Sequence, residues 1–107
     1  MSPTLALDPG TKRIGVAVSD ALGISVKPLP FIPAQPEDEA FRKIAALVAE
    51  REARVVVVGL PINMDGTEGP AAKNARAFGE KLKTALPRLP GGQASPALPV
   101  EFTPVGL

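Results

Sequence analysis

The sequence predicts an α/β domain in which an antiparallel three-strand meander is continued by parallel strands and flanked by helices. Three observations carry that expectation. Two apolar runs of strand length, Leu5-Ala6-Leu7 and Ile14-Gly15-Val16-Ala17-Val18, stand on either side of a Pro-Gly turn. A switch to helical spacing begins near Pro36, and a β-branched run from Val55 to Val58 then separates it from a second helical pattern. Strands that give way to alternating helix and strand indicate a mixed sheet with helices packed on it.

Thr4 to Asp8 is the first expected strand and Arg13 to Ser19 the second, joined by Asp8-Pro9-Gly10-Thr11-Lys12, which is loop chemistry for a hairpin. Ala21-Leu22-Gly23 has the composition of another turn. Ser25 to Ile32 can form a third strand, but Pro28 and Pro30 confine it to an edge or a bulge. Between Pro36 and Glu52, Phe41, Ile44, Ala45 and Val48 share one helical face, and Glu37, Asp38 and Glu39 suit the positive end of the helix dipole. Arg54 to Leu60 is a continuous apolar strand of the kind buried on both faces of a parallel sheet. Pro61 to Gly69 is expected as loop, with Asp65-Gly66 as a turn. Pro70 then fits the first position of a second helix, striped by Ala71, Ala75, Phe78, Leu82 and Leu86 and ended by Pro87. Pro87 to Pro99 has a flexible composition, and Val100 to Thr103 makes a last short strand.

The chain has 107 residues, enough for one domain with a modest core. It holds no histidine, which excludes His-based triads and proton shuttles, and no cysteine, which excludes disulfides and thiolate metal sites. A net charge of +1 says nothing about nucleic acid unless the cations cluster. No apolar run is long enough to span a bilayer, and the first residues lack the pattern of a signal peptide, so a cytoplasmic location away from membranes is expected.

The chemistry-bearing residues fall into three groups. Asp8 closes the first strand beside Gly10, Thr11, Lys12 and Arg13, an arrangement that could hold a divalent metal at Asp8 and nucleic-acid phosphate at Thr11, Lys12 and Arg13. An ordinary hairpin turn accounts for the same residue types. The stretch from Gly59 to Glu68 opens a strand into a polar loop, where α/β folds place ligands, and offers Asn63, Asp65 and Glu68. A strand-to-helix connection accounts for these as well. Lys73 and Arg76, three apart on the second helix, could meet a phosphate backbone or be solvated surface charge.

Leu5 to Asp20, reading LALDPGTKRIGVAVSD, resembles the opening motif of the YqgF (RuvX) family, RNase H-like bacterial proteins described as Holliday junction resolvases and as pre-16S rRNA nucleases. Val56-Val57-Val58-Gly59-Leu60-Pro61, followed by Asn63-Met64-Asp65-Gly66-Thr67-Glu68-Gly69-Pro70, resembles the family's second signature, and Ala75-Arg76 with Phe78 continues it. The resemblance implies an RNase H-like fold over 1–107 and phosphodiester hydrolysis with Mg²⁺ or Mn²⁺, with Asp8 as a catalytic carboxylate and metal ligand. It also implies a structured nucleic acid, pre-rRNA or branched DNA, as partner. A homodimer would suit junction resolution, which calls for two symmetric sites.

After a strand like Pro99-Val100-Glu101-Phe102 the family continues into Asp-Glu-Arg-Leu, bringing a second acid, and then into a helix with a third. Here the chain reads Thr103-Pro104-Val105-Gly106-Leu107, so that motif and the last helix are expected to be missing and the chain to be weakly active or inactive alone. The second acid would fall near Val105, about four residues or ~13 Å beyond Glu101. Two other functions fit parts of the pattern: a nucleic-acid-binding module without catalysis, and a nucleotide-binding lobe of the actin-like kind, whose phosphate loop is similar to Asp8-Pro9-Gly10-Thr11.

Overall fold

The computed structural model describes residues 3–20, 22, 25–86 and 99–106. Seven elements follow one another: β1 (Thr4–Pro9), β2 (Arg13–Ser19), β3 (Val26–Pro33), α1 (Glu37–Arg51), β4 (Val55–Ile62), α2 (Pro70–Ala85) and β5 (Val100–Gly106). The strands form one five-stranded sheet in the order β3-β2-β1-β4-β5. The first three strands pair antiparallel, whereas β4 and β5 run parallel to β1. The mixed α/β architecture expected from the sequence is therefore the one observed. The Pro87 helix stop, the connection up to residue 98, and residues 21 and 23 of the second turn lie outside the described residues.

Each strand is buried on alternate residues, and all the buried positions belong to one face. Leu5 and Leu7, Ile14, Val16 and Val18, and Val56, Val58 and Leu60 meet Ile44, Ala45, Ala72, Ala75, Phe78 and Leu82 of the two helices. The helices also touch each other on that side, with the Phe41 and Phe78 rings 5.5 Å apart between centroids. The opposite face carries Thr4, Ala6 and Asp8 of β1, Gly15 and Ala17 of β2, and Val55, Val57, Gly59 and Pro61 of β4, none of them fully buried. This corrects the expectation that β4 is enclosed on both sides. Both helices pack on one side of the sheet, so alternate residues of β4 remain half-buried.

Smaller differences have local causes. The stripe of α2 includes Ala72 where the sequence suggested Ala71, because Ala72, Ala75, Gly79 and Leu82 form the row that faces the sheet. Gly79 lies directly against the Phe102 ring, which leaves no room for a methyl group. β4 and β5 each run on beyond their expected ends, since Leu60, Pro61 and Ile62 stay in register with Pro104, Val105 and Gly106. β3 is both an edge strand and bulged: Ile14 faces Ile32 and Val16 faces Leu29, so Pro30 and Phe31 together stand opposite Gly15. No helix among the described residues is long and apolar enough to cross a membrane.

Candidate active site and nucleic-acid face

Because β1 and β4 are parallel, Asp8 and Asn63 both lie at the carboxyl edge of the sheet, where the β1–β2 turn also sits. The turn is tight. The Gly10 N–H donates to the Arg13 carbonyl at 2.8 Å, and a Cβ on Gly10 would stand 2.7 Å from that same oxygen. Glycine is therefore required there by close approach, and the turn presents Thr11, Lys12 and Arg13 in exposed positions.

Asp8 is exposed on the open face, with a glycine on each neighbouring strand beside it. It pairs with Gly15 in the β1–β2 ladder. A Cβ on Gly15 would lie 3.4 Å from the Asp8 Cβ, and one on Gly59 would lie 4.0 Å from Asp8 Oδ1. The carboxylate is thus walled by backbone rather than by side chains, which leaves space for a ligand.

The metal requirement can be tested against this geometry. A two-metal centre needs several carboxylates around the ions. Among the described residues no group of three or more His, Cys, Asp or Glu is placed to hold a metal ion. Glu101 shares the open face, but β4 stands between its strand and β1, and it pairs with Val57, two residues before Gly59. That puts it about 12 Å from Asp8. Val105 is nearer, since its Cγ2 would be 3.5 Å from the same Gly59 Cβ that approaches Asp8. The described residues therefore provide one ligand position and do not complete a two-metal centre.

The other sequence-predicted residues separate into two kinds. Asn63 organises its own loop: its side-chain amide donates to Thr67 Oγ1 at 3.1 Å, and its backbone N–H donates to the Thr67 carbonyl at 2.9 Å. Thr67 in turn donates to Asp65 through its hydroxyl (2.6 Å) and its N–H (3.0 Å), and these bonds hold the Asp65 carboxyl below its ordinary value. Arg76 is gripped by Glu68 through two bonds, Nε to Oε1 at 3.1 Å and Nη2 to Oε2 at 2.6 Å. This fork lowers the Glu68 carboxyl and raises the guanidinium. Lys73 lies on the exposed side of α2.

Cations on the helices are mostly paired: Arg42 with Asp38, Arg76 with Glu68, Lys81 with Glu37 and Lys83 with Glu80. Lys12 and Arg13 make no ion pair with any described residue. The Arg13 guanidinium instead lies 5.0 Å from the centroid of the Phe31 ring. Sequence reasoning passed over Phe31, and the one available signal was an aromatic residue placed in a proline-broken edge strand.

The chain matches the family model described as "RuvX: Holliday junction resolvase" over residues 2–94. It is 49% identical over 82 residues to a protein of Chloroflexus aggregans, and 50% identical over 86 residues to one of Thermobifida fusca. A third relative, from Halalkalibacterium halodurans, is 44% identical over 86 residues, and all three bear the name "Putative pre-16S rRNA nuclease". These alignments take in 77%, 80% and 78% of this chain but 58%, 53% and 61% of the relatives. The chain thus spans between half and three-fifths of the curated relatives it matches. Among solved structures, the Aquifex aeolicus PPX-GPPA enzyme aligns over 96% of this chain and 36% of its own at 14% identity and a TM-score of 0.45, a likeness too loose to carry an argument.

Proposed function

The chain belongs to the RuvX family, and from that premise we propose that it contributes the Asp8 half of a nuclease site acting on structured nucleic acid. The substrate we infer is the 5′ end of pre-16S rRNA, in the cytoplasm. The observation that carries this reading is Asp8 itself, an exposed carboxylate at the carboxyl end of a central strand with glycine on both sides. Hydrolysis would take Mg²⁺ or Mn²⁺, with Asp8 as one ligand. Such ions activate water and stabilise the leaving oxygen, but they need carboxylates beyond the one provided here. By itself the chain is therefore expected to bind nucleic acid and to cut it poorly.

The test joins the segment of the Thermobifida fusca relative that follows its last aligned strand to Thr103 of this chain, and supplies Mn²⁺ with labelled pre-16S rRNA or four-way junction DNA. Cleavage of the RNA is expected, at least about 100-fold above the chain alone, and Asp8→Asn should remove that gain while leaving RNA binding in place. Cleavage that survives Asp8→Asn would overturn the role of Asp8. Cleavage of the junction in preference to the RNA would instead favour junction resolution, the activity in the family model's description.

A further inference from the structure

We propose that Phe31, with Arg13 against its ring, is a platform on which an unpaired nucleobase stacks beside Asp8. The inference rests on the reading of this chain as a nucleic-acid-binding member of its family, and adds to it a place and a chemistry of contact.

The bulge in β3 creates the platform. Ile32 is buried on the helix side, so Phe31 projects to the opposite face, the one that carries Asp8. Gly15 stands between them, paired with Asp8 on one side and facing the bulge on the other. Two strand spacings separate Phe31 from Asp8, about 10 Å, and the floor between them has no side chain. That span is close to the distance between successive nucleotides of an extended strand. A base on Phe31 would thus place a neighbouring phosphate near Asp8.

The environment favours a base over a protein side chain. Phe31 remains 56% exposed although Arg13 lies over its ring, so a large aromatic surface is presented to solvent. Arg13 and Lys12 are exposed and free of ion pairs among the described residues, and they supply positive charge for the phosphates on either side of the base. An aromatic ring on an open sheet face with unpaired cations beside it is the combination that single-strand binding uses.

The experiment exploits the absence of Trp and Tyr from the chain, which makes Phe31→Trp a single-reporter protein. Anisotropy is measured with labelled 12-nucleotide single strands, as RNA and as DNA, and with the corresponding duplexes. Phe31→Ala is expected to weaken single-strand binding by about 5- to 150-fold, with duplex binding changed less than about twofold. Phe31→Trp should keep the affinity, and its emission should be quenched when the single strand is added. Stronger quenching by RNA than by DNA would assign the base to an RNA, and the reverse to a DNA. Undiminished binding by Phe31→Ala, or Trp emission unmoved while anisotropy reports binding, would overturn the platform and leave the nucleic-acid reading standing. A loss of self-association in place of affinity would mark Phe31 as a contact between copies and overturn it too. No binding of any nucleic acid by the unaltered chain would overturn both readings.

Discussion

The two faces of the sheet are built from the same strands and have opposite characters. On the helix side, Leu5, Val56 and Val58 are completely buried and contact only apolar neighbours. On the other side the same strands present Asp8, two glycines, small residues and the Arg13–Phe31 pair. Stability therefore comes from one face, and the other is free to carry chemistry. Alternation in β4 makes the contrast sharp, because Val57 and Val58 are neighbours in the chain and differ only in which face they meet.

That neighbouring pair gives the largest expected effect. Val58→Thr places a hydroxyl among apolar atoms with no partner and should cost about 1–3 kcal/mol, whereas Val57→Thr should change stability by no more than about 0.5 kcal/mol. Urea unfolding of the two variants measures the difference directly. Equal losses would mean that the second face of β4 is as dry as the first, and the comparison would fail.

Much of this asymmetry was legible in the sequence, for stated reasons. The alternation in β1 and β2 is complete enough to identify both strands, and Asp8 could be placed at a strand end because Pro9-Gly10 follows it at once. The Pro28 and Pro30 pair fixed β3 as an edge strand, since an interior strand needs the N–H groups that proline lacks. What alternation could not show is the bulge. Phe31 and Leu29 are two apart and would share a face in a regular strand, yet the extra residue opposite Gly15 turns Leu29 to the helices and leaves Phe31 on the open side. Nor could an unbroken run of valines reveal whether one or both of its faces is covered, because that depends on where helices from elsewhere pack. The partnership of Arg76 with Glu68 was equally hidden, as it spans a loop whose path is set by Asn63 and Thr67.

An intermediate effect tests how the open face is organised around Asp8. Val105 approaches the Gly59 position from one side and Asp8 from the other. Val105→Asp would therefore set a second carboxylate within reach of the first. Mn²⁺ binding, followed by calorimetry, is expected to tighten at least about tenfold over the unaltered chain, and the gain should vanish when Asp8→Asn is added. A gain independent of Asp8 would show that position 105 holds the ion elsewhere, and that the two residues do not share a site. Val105 is already half exposed, so the substitution should leave the unfolding midpoint nearly unchanged.

The smallest effect concerns charge on the helix side. Glu68 neutralises Arg76, and this is why Arg76 ranks below Lys12 and Arg13 as a phosphate contact despite lying in a family signature. Glu68 has its carboxyl lowered by the Arg76 hydrogen bonds, so the pair is intact above the ordinary glutamate value of 4.5 and is lost as pH falls through the lowered one. At neutral pH, Glu68→Gln should release the guanidinium. RNA affinity is then expected to rise about two- to threefold at low salt, with a salt dependence steeper by about one phosphate contact. The increase should disappear on adding Arg76→Ala, which isolates the freed cation as its cause. An affinity unchanged by Glu68→Gln would mean that bound nucleic acid does not reach α2, and would confine the interface to the open face and its edge.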